Sequence, residues 1–231
     1  MATLGLIRSV YEWDWKGAEK ALSTAINLNP GSPKSHYDYV LYLAVLVRNI
    51  DKATSEDRKA IELDPLSGIA HYIFGIILLT SGQYDQAIEI LRYVREMIPK
   101  HLGPIRNLGW AYREEGMLEE AMDEIKKGLG LFPKNPMLLE RLGHICAVKG
   151  EKKKTRAILN ELLQRSKKEY VFPVYITLLY ADLGQLDQPF EYLKKGFENQ
   201  DIWLSYIAIL ITWAHILHPD PRFPAFLKKL D

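Results

Sequence analysis

Residues 105–133 read IRNLGWAYREEGMLEEAMDEIKKGLGLFP, and this stretch decides the fold. Leu108-Gly-Trp-Ala-Tyr112 is the middle of one amphipathic helix. Gly116 permits a turn, and Leu118-Glu-Glu-Ala-Met-Asp-Glu-Ile125 opens a second helix. Pro133 follows where that second helix must stop, because proline cannot continue the hydrogen-bond ladder. Small residues at Gly109 and Ala121 let two antiparallel helices approach closely, where larger side chains would hold them apart.

The same punctuation recurs along the chain. Prolines fall at Pro30, Pro65, Pro99 and Pro133, at intervals of 35, 34 and 34, each behind a similar string: AINLNP, AIELDP, VREMIP and GLGLFP. Ala18, Ala53, Ala87 and Ala121 keep a constant offset from these prolines, followed by Ala25, Ala60, Val94 and Gly128. Glycines recur at Gly75, Gly109 and Gly143, and again at Gly82, Gly116, Gly150 and Gly184. One such helix pair cannot bury its own apolar face, whereas stacked pairs share a continuous core. The expected fold is all-α, a right-handed solenoid of about six antiparallel pairs over 1–31, 32–66, 67–100, 101–134, 135–168 and 169–200. A capping segment over 201–231 completes a single domain.

On these residues the chain resembles the tetratricopeptide repeat family. The unit His71–Pro99 carries Phe74-Gly75, Gly82-Gln83-Tyr84, Ala87, Leu91 and Pro99. The unit Ile105–Pro133 carries Leu108-Gly109, Tyr112, Gly116, Leu118, Ala121, Ile125 and Pro133. Other units depart from the pattern. Thr155 and Lys167 stand for the usual Ala and Pro, Pro189 stands for another Ala, and Ala44, Arg48 and Asp57 make the second unit divergent. Pro189 is expected in the first turn of its helix, where it is tolerated. A narrower resemblance, carried by Glu12-Trp-Asp-Trp-Lys-Gly-Ala-Glu-Lys-Ala and Asp220-Pro-Arg-Phe, is to the C-terminal repeat regions of bacterial signalling proteins. These include winged-helix regulators, class III nucleotide cyclases and protein kinases. With its clipped first repeat, the chain is expected to be the C-terminal segment of a longer protein.

The resemblance implies a non-catalytic scaffold that takes a peptide or helix of a protein partner on a concave surface lined by first helices. By register, the residues expected on that surface are Asp38, Tyr42, Tyr72, Arg106, Asn107, Trp110, Arg141, His144 and Tyr175. Tyr, Trp and Arg are the residue types that dominate interface energetics. The clamp that family members use for acidic chaperone tails needs Lys, Asn, Asn, Lys and Arg. Here Tyr72, Ile76, Asn107, Met137 and Arg141 stand in those places, so that pattern is absent. The alternative reading is a regulatory or dimerisation segment of a larger signalling enzyme or transcription regulator, self-associating through the apolar stretch 202–217.

Composition removes other classes. Thirty Lys and Arg against 29 Asp and Glu leave a net charge of +1, so no global field favours nucleic acid or an anionic membrane. The single cysteine, Cys146, excludes an internal disulfide and a multi-cysteine zinc site. No signal peptide is legible, and 202–217 is shorter than the roughly 20 residues of a spanning helix, so a cytoplasmic location is expected. No phosphate loop, His-Glu-x-x-His or Gly-x-Ser-x-Gly string occurs. His144 and Cys146 lie two apart and face different ways on a helix. His215 and His218 lack acidic or thiol company, and Glu114, Glu115, Glu119 and Glu120 suit a solvated face. No enzyme activity, cofactor or metal is expected. Lys149–Lys168 concentrates eight cations against Glu151 and Glu161. A plain solvated helix is the simpler reading of that run, and an acidic protein surface is the alternative.

Overall fold

The computed structural model describes residues 1–204, 217 and 219–229. The apolar stretch assigned to the cap lies outside them except for its first three residues and Leu217. Two compact units divide the chain, Met1–Ala111 and Tyr112–Asp231, and the division falls within one helix. The described regular structure is helical throughout.

The first unit holds α1 (Ala2–Ile7), α2 (Trp15–Leu28), α3 (Pro33–Leu41), α4 (Ile50–Leu63), α5 (Gly68–Thr80), α6 (Tyr84–Met97) and the start of α7 (Leu102–Glu114). α1 packs on α2, α3 on α4 and α5 on α6, and successive pairs stack through α2 on α3 and α4 on α5. The second unit holds α8 (Leu118–Leu131), α9 (Pro136–Val148), α10 (Lys152–Arg165), α11 (Pro173–Asp182), α12 (Gln188–Glu198) and a short α13 (Arg222–Leu227). There α9 packs on α8, α10 and α11, and α11 on α12.

Each pair turns through one residue with left-handed backbone: Trp13, Arg48, Gly82, Gly116, Gly150 and Gly184, with φ between 50° and 80°. The spacing is 35 and then 34 throughout. Four of these six are glycine because the conformation brings Cβ against the following carbonyl in any other L-residue. The core keeps the same beat. Leu22, Asp57, Leu91, Ile125, Leu159 and Leu193 are each at most 1% exposed. Close approach within a pair is visible at Gly75, where a Cβ would stand 2.7 Å from Leu91 Cδ2. Thr155 substitutes for alanine at the crossing by donating its buried hydroxyl to the Gly143 carbonyl, 2.9 Å away. Pro189 lies in the first turn of α12, as its sequence position predicts.

The second pair explains the single interval of 35. From the N-cap Ser32 to the turn residue Arg48 is one residue further than from Ser67 to Gly82. The excess is absorbed in a π-helical stretch, Tyr42–Leu46, where the Val47 amide donates to the Tyr42 carbonyl five residues back. Loops between pairs are pinned by imidazoles in register. His36 Nε2 lies 3.0 Å from the Pro30 carbonyl, and His71 Nε2 lies 3.0 Å from that of Pro65. His36 Nδ1 faces Glu56 at 2.8 Å, so both ring nitrogens of this buried residue meet acceptors.

Asp57 is the one acidic member of an otherwise aliphatic column. Its Oδ1 has no hydrogen-bond partner, and burial pushes its carboxyl up to about 7. The unfolded carboxyl titrates near 3.8, so folding is penalised in full above pH 7 and progressively less as pH falls toward 4. Asp57→Asn is expected to stabilise the protein by roughly 2–4 kcal/mol at pH 8, with a much smaller gain at pH 5, measured by urea unfolding. Gly116→Ala tests the turn. A Cβ there meets nothing within 4 Å, so the expected loss of about 1 kcal/mol is a pure backbone cost.

Candidate functional site

Three of the residues assigned to a partner surface touch one another in the first unit. Tyr72 comes from the second turn of α5, and Arg106 and Asn107 come from α7. The Asn107 Nδ2 donates to the Tyr72 hydroxyl oxygen at 3.3 Å, and Arg106 Nη2 stands 3.5 Å from the same oxygen. Arg106 Nε donates to Asn107 Oδ1 at 2.9 Å, which fixes the amide orientation. Asn107 is 1% exposed and forms the floor, while Tyr72 and Arg106 are half-buried at the rim. Because its oxygen receives these donors, the Tyr72 hydroxyl has its own proton available for an acceptor. The nearby cation strengthens that donor. Gly103 completes the geometry, since a Cβ there would stand 2.3 Å from the Tyr72 hydroxyl oxygen.

His101 joins the cluster from the loop, its ring tilted against that of Tyr72 at 5.3 Å. Its Nδ1 accepts from the Gly103 amide at 3.2 Å. His101 thus caps the start of α7 as Ser32, Ser67 and Asn135 cap α3, α5 and α9. Capping requires the neutral ring, and burial together with the Arg106 charge holds the imidazole below its usual value. Sequence reasoning passed over His101. The signal was its register with Ser32, Ser67 and Asn135, at the position that needs a side-chain acceptor.

The other residues assigned to that surface have well-defined interior places. Asp38 is buried, with Lys34 Nζ 2.6 Å from its carboxylate. Tyr42 is 2% exposed, stacks on Tyr39 and donates to the Trp15 carbonyl at 3.0 Å. Burial and the Glu19 carboxylate push its phenol up to about 12. Trp110 is 7% exposed. In the second unit Arg141 is buried beside Glu140, and His144 is buried with Nδ1 2.7 Å from Asp182. Burial lowers the His144 pKa against the pull of that carboxylate. Tyr175 is buried in a group with Phe172 and Trp203, at ring separations of 5.5 and 6.3 Å. Register alone assigned an open face to these side chains. In the structure of the chain alone these side chains are buried.

Cys146 is buried, and burial pushes its thiol up, away from the nucleophilic thiolate. Among the described residues no three His, Cys, Asp or Glu side chains converge to hold a metal ion. No described helix is long and apolar enough to cross a membrane.

Comparison with known proteins bears on the fold. Residues 78–139 match one tetratricopeptide repeat model and residues 58–89 match another. Over 84 residues the chain is 31% identical to anaphase-promoting complex subunit 3 of Dictyostelium discoideum, covering 36% of this chain and 9% of that protein's length. Among solved structures it is similar to the anaphase-promoting-complex assembly Cut9–Hcn1 (TM-score 0.66, 18% identity, 97% of this chain and 48% of that one). It is also similar to a tetratricopeptide protein of Thermus thermophilus (0.62, 23%, 80% and 99%). The pilF protein of Pseudomonas aeruginosa is a third such structure (0.60, 18%, 91% and 95%). At these identities the likeness is one of fold: an all-α array of tetratricopeptide-type helix pairs.

The His101 cap gives a test by pH. Its contribution is present in full above about pH 6.5 and is lost as pH falls through the lowered folded value. Wild type is expected to lose up to about 1 kcal/mol relative to His101→Asn between pH 7 and pH 5. Parallel urea titrations of the two proteins measure the difference.

Proposed function

We propose that the chain is a non-catalytic protein-interaction module, with the Tyr72–Arg106–Asn107 cluster as a contact point for a peptide or helix of a protein partner. Tetratricopeptide-type repeats generally act by binding other proteins, and repeat models match residues within 58–139. The observation that carries the residue-level reading is the hydrogen-bond pattern at Tyr72. A buried amide and a half-buried guanidinium both donate toward the phenol oxygen, which leaves its own proton to serve an acceptor. A peptide carbonyl or a side-chain carboxylate is the acceptor that such a donor, flanked by Arg106, would recognise. Holding these groups in place beforehand lowers the ordering cost of association.

Partner capture is tested with Tyr72→Phe/Arg106→Ala, a pair that removes the oriented donor and its flanking cation and, with them, two hydrogen bonds to the buried Asn107 amide. A photo-crosslinker at position 72 or 106 identifies the protein that binds there. The double variant is expected to weaken binding of that protein at least about tenfold, consistent with the loss of charge-assisted hydrogen bonds. Its melting temperature is expected to fall, since leaving the buried Asn107 amide unsatisfied costs about 1–3 kcal/mol, so binding is compared well below the transition with the helical circular-dichroism signal intact. Full retention of the partner by the double variant would overturn the assignment.

A further inference from the structure

Four of the second helices carry carboxylates in their first turn: Asp51 in α4, Asp85 in α6, Glu119 and Glu120 in α8, and Glu191 in α12, while α2 has none and is capped by Asp14. That sign suits the positive end of a helix dipole. α10 opens on Lys152-Lys153-Lys154 behind its N-cap Glu151, with no acid in the first turn itself. Two neighbouring cations are neutralised, Lys149 by Glu119 at 2.5 Å and Lys154 by Glu151 at 2.9 Å. Lys152, Lys153, Arg156, Lys167 and Lys168 are not. All five are exposed, and among the described residues none has a carboxylate within ion-pair distance. Arg156 and Lys167 hydrogen-bond only neutral amides, those of Gln185 and Gln164.

The charge on this face is patterned. Lys152, Lys153 and Arg156 form one cluster at the start of α10, and Lys167 and Lys168 form another in the turn that follows its end at Arg165. Between them lie exposed Asn160, Glu161 and Gln164. The far end opens into a hollow of about 730 Å³ lined by Lys134, Glu161, Gln164, Arg165, Lys168 and Glu169. Arg165 is consumed there by Glu169, Glu161 and the Lys134 carbonyl. We infer that the outer face of α10, together with the turn that follows it, is a docking surface for an acidic protein segment with two carboxylate clusters separated by a neutral stretch. This surface is separate from the Tyr72 cluster and does not depend on it.

Charge complementarity selects the occupant. A uniform polyanion, whether nucleic acid or an anionic bilayer, sets phosphates against Glu161 and Glu169, where like charges repel. A protein segment can place neutral residues there and hydrogen-bond the Asn160 and Gln164 amides. The cationic first turn of α10 costs stability in the free chain, and docked carboxylates relieve it.

The test uses the full chain and a fluorescein-labelled peptide with two Glu-Asp clusters joined by a Ser/Gly spacer, followed by anisotropy at low and physiological salt. Binding is expected at low salt and to weaken as salt rises. Lys152→Glu/Lys153→Glu/Arg156→Glu is expected to lose about tenfold or more in affinity. The control Lys126→Glu/Lys127→Glu, on exposed positions of α8, is expected to bind as wild type. The triple variant should melt no lower than wild type, because it places the favourable sign in the first turn of the helix. Three outcomes would each overturn the inference: no peptide binding at low salt, unchanged binding by the triple variant, or equally tight binding of oligothymidylate or phosphatidylserine vesicles.

Discussion

Close crossing of two antiparallel helices is the constraint on which the rest of the structure depends. A pair of helices 13 or 14 residues long cannot form an independent core, so its inner side chains must be shared with the next pair. Sharing requires that small residues stand where backbones cross. Ala18, Ala53, Ala87 and Ala121 meet that need with complete burial. It also requires one large apolar side chain per pair at a fixed place, supplied by Leu22, Leu91, Ile125, Leu159 and Leu193. The 34-residue beat is the length of chain needed to return to the same crossing, and the left-handed turn residues mark its phase.

Departures from this beat concentrate in the second pair. It holds an extra residue in its first helix, a non-glycine at its left-handed turn and a carboxyl in the aliphatic column. The π-helical stretch Tyr42–Leu46 absorbs the first, and the hydrogen bond from Arg48 to the Thr80 carbonyl at 3.2 Å accompanies the second. No described partner satisfies Asp57 Oδ1, so the second pair carries a buried polar atom in the column that the other pairs fill with aliphatic side chains.

The fold was legible because its signals are local and repeated: a proline, a glycine or a small residue means the same thing at each turn of the pattern. The site was less legible. Register placed Tyr72, Arg106 and Asn107 on adjacent first helices, and these three do meet. The same register placed Tyr42, His144 and Tyr175 by analogy, but their surroundings are set by residues distant in sequence. Trp15 receives the Tyr42 hydroxyl, Asp182 receives the His144 ring, and Phe172 and Trp203 pack on Tyr175. A polar or aromatic side chain on a helix face is open or buried according to its neighbour's size, which periodicity does not record.

Composition and spacing by themselves determined the helical pairs, their turns, the crossing residues and the absence of any legible catalytic motif. They also showed that a near-zero net charge conceals a basic run at 149–168. Tertiary structure decided which cations of that run are spent on Glu119 and Glu151 and which stay exposed. It decided that His101 caps α7 through Nδ1, and that the buried Asn107 amide donates to the Tyr72 hydroxyl oxygen. The physical reason is the same in each case. Helix formation and pairing follow from short-range periodicity, whereas pairing of charges and hydrogen bonds depends on which side chains a neighbouring helix brings within about 3 Å.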